Sequence, residues 1–174
     1  MLVFVLLLFQ TEVAEFTETK NGLTQIRHEI VVTAEREAVW RLFTSKEGIE
    51  SWITPVAWVD LREGGIMETS YDANAKRDDP NNIKVQFTAL KPGWHYTARN
   101  IQSPANTGFG DTLKEIPSSL RLEEVGAGKT KVSVIMSGFN ETEAHQKLLA
   151  FFKKGNSWYL NRLQQRLKEG PLPF

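Results

Sequence analysis

The sequence predicts an α+β domain in which one antiparallel sheet carries a long terminal helix across a single face. Three observations lead there. Near the C-terminus Leu148, Leu149, Phe152, Tyr159, Leu160, Leu163 and Leu167 recur at helical spacings while Lys153, Lys154, Arg162, Gln165 and Lys168 fall opposite, the pattern of a helix with one buried face. Near the start, Ile26, His28, Ile30 and Val32 alternate with Arg27, Glu29 and Val31, the period of a strand with one buried side. Between them lie six short β-like runs, separated by Gly64-Gly65, Lys91-Pro92-Gly93 and Gly126-Ala127-Gly128, which supply turn residues. The order strand, two short helices, six strands, long helix argues an antiparallel sheet covered on one side. A sheet that curves around one helix leaves a hollow.

The 174 residues suit one domain, expected over 23–174, and suffice for a substantial core. Lys plus Arg equals Asp plus Glu at 21 each, so no overall field draws in nucleic acid, which is not an expected partner. No cysteine is present, which removes disulfides, thiolate nucleophiles and thiolate metal sites. Residues 1–9 are almost entirely apolar, too short to span a bilayer but close in length to a signal-peptide core. An exported or membrane-associated protein is expected if they are a signal, and a cytoplasmic one otherwise. Residues 10–22 are polar and read as a linker, so 1–22 forms an appendage.

In order, the first strand begins at Leu23 and places His28 on its apolar side. Thr33 can cap a short helix containing Val39, Leu42 and Phe43, and Thr44-Ser45-Lys46-Glu47 has the form of a capping box for a second, running through Trp52. Pro55 breaks that run. Strands follow at 56–61, 66–71, 83–90, 94–101, 119–124 and 131–137, with longer loops at 72–82 and 102–117. Asn140, with Glu143 three residues on, caps the last helix over 141–168. At about 1.5 Å per residue that helix is roughly 40 Å long, enough to cross the domain.

Several pieces carry a family resemblance: Ala38-Val39-Trp40, Leu42-Phe43-Thr44, Glu47-Gly48, Trp52, Arg62-Glu63-Gly64-Gly65 and Gly155-Asn156-Ser157-Trp158, followed by Leu160 and Leu163. Their order and spacing resemble the SRPBCC (START-like) superfamily, and within it the AHSA-type homologues of the heat-shock chaperone ATPase activator. The resemblance implies a helix-grip fold over about 23–168, with a curved seven-stranded antiparallel sheet around the C-terminal helix. It also implies a cavity between them that in many relatives takes an apolar small molecule. Function must still be argued from the site, because one fold serves many activities.

The string Gly126-Ala127-Gly128-Lys129-Thr130 ends like a phosphate-binding loop, but the first glycine of such a motif would fall at position 123, which is Glu. The string also joins two strands, so it reads as a hairpin turn. His28, His95 and His145 have neither metal-binding spacing nor thiolates beside them, so no metal and no cofactor is expected. His145, near a helix start, is expected in solvent, and Asp78-Asp79 as a solvated pair.

Facing is less determined for the strand at 94–101. If the Lys91-Pro92-Gly93 turn pairs Leu90 with Trp94, then Phe87 lies opposite Thr97 and Val85 opposite Arg99, and His95, Thr97 and Arg99 point inward. A one-residue slip points Trp94, Tyr96 and Asn100 inward instead. In the first register Arg99 needs a buried partner, Glu68 or Glu124 or a ligand carboxylate. On the last helix Phe152, Asn156 and Tyr159 stand a turn apart beside Gly155. A helix-interior glycine signals close approach of a ring or a ligand, and a buried amide needs hydrogen bonds. Phe109, in Gly108-Phe109-Gly110, is placed to gate a cavity mouth.

The expected cavity set is therefore His28, Trp52, Phe87, His95, Thr97, Arg99, Phe109, Phe152, Asn156 and Tyr159. The leading expectation is a carrier or sensor that holds a small apolar or amphipathic molecule, lipid-like or aromatic. Two others are a cyclase- or hydrolase-type enzyme using His28 or His95 as base with Arg99 as anion partner, and a chaperone-binding module implied by the resemblance.

Overall fold

The computed structural model describes residues 12–174, so the expectation for residues 1–9 lies outside the described residues. Strands β1 (Ala14–Lys20), β2 (Leu23–Val32), β3 (Val56–Val59), β4 (Ile66–Ser70), β5 (Ile83–Lys91), β6 (His95–Gln102), β7 (Ser118–Gly126) and β8 (Lys129–Phe139) form one antiparallel sheet. Its order is β1-β2-β8-β7-β6-β5-β4-β3. The sheet thus has eight strands rather than seven, and the added one lies in the segment read as a linker. Its side chains are mostly exposed, so polar composition concealed an edge strand wet on both faces. The hairpin to β2 turns on Asn21-Gly22, both at positive φ (52° and 75°), the dipeptide that favours a two-residue turn.

In β2, Ile26, His28, Ile30 and Val32 are all buried, as period-two alternation requires. Helices α1 (Arg36–Thr44) and α2 (Lys46–Glu50) follow. Their caps sit later than the sequence suggests. Glu35, not Thr33, is the N-cap of α1, and Ser45, not Thr44, caps α2 by accepting from the Gly48 amide at 3.0 Å. Thr44 instead donates back to the Trp40 carbonyl at 2.7 Å, a bond open to a hydroxyl inside a helix.

The β5–β6 hairpin corrects the leading register. Lys91 pairs with His95 and Leu90 with Tyr96, and a bulge between Phe87 and Ala89 sets Phe87 opposite Ala98 and Val85 opposite Asn100. The extra residue, Thr88, is exposed. One inserted residue reverses facing beyond it, so Tyr96, Ala98 and Asn100 are buried while Arg99 is exposed. Trp94 is not inward either, being 39% exposed and stacked on the Arg36 guanidinium at 3.4 Å.

Helix α4 (Glu143–Glu169) crosses the sheet, its N-cap Thr142 rather than Asn140. Asn140 Oδ1 accepts from Thr142 N at 2.9 Å and Thr142 Oγ1 at 2.6 Å, a turn just before the helix. The core divides in two. One cluster joins α1, Trp52 and the middle of the sheet to Leu160 and Leu163; the other joins Ile26, Ile116, Met136 and Phe139 to Leu148 and Leu149. The loop read as a flexible gate contains a 3-10 turn (Ala105–Thr107) and a short helix α3 (Thr112–Glu115). His145 is buried rather than solvated: its Nδ1 accepts from the Asn140 amide at 3.0 Å and its Nε2 lies 3.2 Å from Glu115 of α3. In the other loop, Asp78 pairs with Lys84 at 2.6 Å, and its amide donates to buried Glu68 at 2.7 Å.

Candidate functional site

Between the sheet and the middle of α4 lies a cavity of about 560 Å³. Tyr96, Ala98 and Asn100 of β6 form its floor with Val134 and Met136 of β8, and Phe152, Gly155, Asn156 and Tyr159 of α4 form its roof. Tyr71, Phe151 and Trp158 also line it and are 67%, 53% and 56% exposed, which places them at the mouth. Phe109 closes on that rim, its ring 4.9 Å from Phe151. A Cβ built on Gly155 would meet nothing within 4 Å. The glycine therefore borders open space, and no packed group demands it.

The polar residues among the described lining are uncharged: Ser103, Thr107, Ser118 and Ser119 beside two asparagines and three tyrosines. Asn156, 6% exposed, has its amide Nδ2 buried without a hydrogen-bond partner. Asn100 donates through Nδ2 to the Gln102 carbonyl at 3.1 Å and leaves its Oδ1 without a donor. Burial pushes the Tyr96 and Tyr159 phenols well above the usual tyrosine range, so both keep their protons. Tyr159 is held in place by rings: Trp52 at 4.8 Å on one side and Phe43 at 5.8 Å on another. Among the described residues no Lys, Arg, His, Asp or Glu lines the cavity.

Of the residues read from the sequence, Phe109, Phe152, Asn156 and Tyr159 line this space. Trp52 and Phe87 are fully buried just behind its wall, Trp52 donating to the Leu42 carbonyl at 3.0 Å and Phe87 packing edge-on against Tyr96 at 5.2 Å. His95, Thr97 and Arg99 lie on the other face of β6, a consequence of the bulge. Thr97 pairs there with the Ser119 hydroxyl at 2.8 Å. His95 borders a separate, smaller pocket beside Trp94 and Arg121. The partners proposed for a buried Arg99 are engaged elsewhere. Glu68 accepts from Asn82 at 2.6 Å, and Glu124 meets Arg36 at 3.1 Å.

His28 faces inward but does not reach the cavity. It is fully buried beneath α4, with Nε2 3.1 Å from the Lys153 carbonyl and 3.4 Å from Glu15 of β1. Burial pulls its pKa below the usual histidine value, although Glu15 works in the other direction. Glu15 also holds Lys153 Nζ at 2.8 Å, and that hydrogen bond is the main reason its own carboxyl titrates low. The group ties β1, β2 and α4 together. No acid–base pair formed by His28, His95 and Arg99 converges on one point, which corrects the enzyme reading built on them.

Tyr96, Asn100, Tyr71, Phe151 and Trp158 are lining residues that the leading sequence reading missed. Tyr96 and Asn100 were legible only in the slipped register. Phe151 and Trp158 sit off the apolar stripe of α4, where helical periodicity assigns them to solvent.

Comparison with known proteins follows the fold. The model of the family described as activator of Hsp90 ATPase homolog 1-like protein matches residues 33–168. No curated protein matches the sequence. Among solved structures, the chain is similar to the Aha1 dimer from Colwellia psychrerythraea, with a TM-score of 0.65, 19% identity, and coverage of 84% of this chain and 97% of that one. It is also similar to CalU16 from Micromonospora echinospora, with a TM-score of 0.60, 19% identity and coverage of 88% and 83%. A third is an HSP90 activator from Plasmodium falciparum, with a TM-score of 0.56, 15% identity and coverage of 85% and 97%. At these identities the likeness is one of fold.

Proposed function

The chain belongs to the activator of Hsp90 ATPase homolog 1-like family, and on that premise we propose that it is a non-catalytic carrier or sensor for a small apolar or amphipathic molecule. The observation that carries this reading is the cavity. At about 560 Å³ it falls within the range of roughly 300–1,000 Å³ common for small-molecule sites, and its apolar walls with a few polar atoms match the usual composition. Desolvating an apolar ligand of that size drives binding without any ion pair. The rim of Tyr71, Phe151 and Trp158 offers the ligand an apolar path in.

The test is binding of a neutral apolar dye. Nile red should partition into the protein with blue-shifted emission and a saturable isotherm. Ligand-bound protein should melt higher, by the mass-action increment that any native-state ligand gives. No saturable uptake of Nile red, and no stabilisation across a broad set of apolar compounds, would overturn the carrier reading.

A further inference from the structure

The cavity's polar complement narrows the occupant, given the carrier reading. We propose that this site is built for an uncharged, oxygenated ligand: an apolar body whose hydroxyl or keto group meets the Asn156 carboxamide and the phenols of Tyr96 and Tyr159. Three observations converge. First, Asn156 is nine-tenths buried at the cavity wall with its amide unpartnered, although an apolar residue there would continue the buried stripe of Leu149, Leu160 and Leu163. A partner that enters the cavity would satisfy an amide in that position, which offers both a donor and an acceptor.

Second, among the described residues that line the cavity there is no counter-charge. A carboxylate or phosphate buried there would be an unpaired ion in an apolar space, which is strongly disfavoured. Of the cations on the adjoining turns of α4, Lys154 is exposed to solvent and two others are held outside the cavity. Lys153 is bound to Glu15 at 2.8 Å, while Arg162 donates to the Trp52 carbonyl at 2.6 Å and the Pro173 carbonyl at 3.0 Å. Third, a wholly apolar guest would leave the Asn156 Nδ2 and the Asn100 Oδ1 without partners. A fatty acid fits the volume but not the electrostatics, and a plain hydrocarbon fits the walls but not the amides.

The experiment uses the full chain and three tricyclic probes of nearly equal size: fluorene, 2-hydroxy-9-fluorenone and 9-fluorenone-2-carboxylate, each measured by displacement of Nile red at pH 7.5. The hydroxyketone should bind about tenfold more tightly than fluorene, the gain of satisfying a buried polar group. It should bind at least about a hundredfold more tightly than the carboxylate, which must be desolvated without a partner. Asn156→Leu should retain Nile red and fluorene while bringing the hydroxyketone down to the fluorene level. Tyr159→Phe, which keeps the ring stack, should remove part of the same preference. Equal affinity for the three probes, tightest binding of the carboxylate, or an unchanged preference in Asn156→Leu overturns the proposal and leaves the carrier reading standing. Failure of every probe, Nile red included, overturns both.

Discussion

Replacing Gly155 tests the hollow without any ligand. The residue lies in the interior of α4, where glycine costs about 1 kcal/mol relative to alanine through backbone entropy. A Cβ there would touch nothing within 4 Å, so no steric term opposes the gain. Gly155→Ala should therefore stabilise the protein by about 1 kcal/mol, which for a chain of this length raises Tm by about 2–4 °C. Gly155→Phe carries the test further. Its ring would project into the cavity of about 560 Å³, so the variant should remain folded with Tm no lower than wild type, yet lose at least about tenfold in Nile red affinity. Thermal melts followed by circular dichroism, together with dye titration, read both effects. A fall of several degrees for Gly155→Ala, or unfolding of Gly155→Phe, would mean that the space beside residue 155 is filled, and the cavity argument would fail with it.

Other outcomes follow from particular contacts. His28 has a folded pKa depressed below 6.5, chiefly by burial, so its stabilising contribution is complete above that value and is lost as pH falls below it. Urea midpoints should drop between pH 7.5 and 5, and His28→Gln should flatten that decline. Glu15, held low first by Lys153 from a usual 4.5, adds a second, more acidic loss that persists in His28→Gln and is removed in Glu15→Gln. Glu68 is 3% exposed and accepts from Asn82 and the Asp78 amide; Glu68→Ala should cost about 2–3 kcal/mol by orphaning buried donors, measured by urea denaturation. At Gly48 an added Cβ would lie 2.0 Å from the Arg41 carbonyl oxygen, so Gly48→Ala should destabilise by at least about 2 kcal/mol in the same assay.

Elements whose pattern comes from burial on one side could be read directly. β2 alternates because one face meets α4, and α4 shows its stripe because Leu148, Leu160 and Leu163 are all fully buried. β1 could not be found that way, since neither face is covered, although Asn21-Gly22 between two extended stretches was a turn signal in plain view. The β6 facing failed for another reason. A bulge at Thr88 is a local choice of backbone, and period-two reasoning carries the wrong parity past it. His145 was misplaced because its partners, the Asn140 amide and Glu115, are brought together by a loop whose short helix has no strong apolar period. The roof of the site was legible, since Asn156 and Gly155 break the rules of an amphipathic helix. The floor required the register.

The arrangement of the core explains why those irregular residues can sit in mid-helix. α4 is anchored at both ends of its buried face: Leu148 and Leu149 in one apolar cluster, Leu160 and Leu163 in the other. Trp52, fully buried and packed against the Tyr159 ring, locks the second anchor, and the Arg162 guanidinium fastens the same turn to the Trp52 carbonyl. On the first anchor's side, His28 and Glu15 hold the Lys153 turn to β1 and β2. A helix fixed on both sides of residues 155 and 156 does not need that turn to pack, so a glycine and an unpaired amide are tolerated where a uniformly packed helix would place alanine and leucine. Close packing at the two ends is what permits a void between them, because a loosely held helix would settle into the hollow and fill it. Loosening one anchor should therefore shrink the cavity before it unfolds the protein: Leu163→Ala, a fully buried truncation, should cost about 2–5 kcal/mol and reduce Nile red uptake while near-native circular dichroism persists. If dye binding survives until the global melt, the two-anchor account of the cavity is wrong.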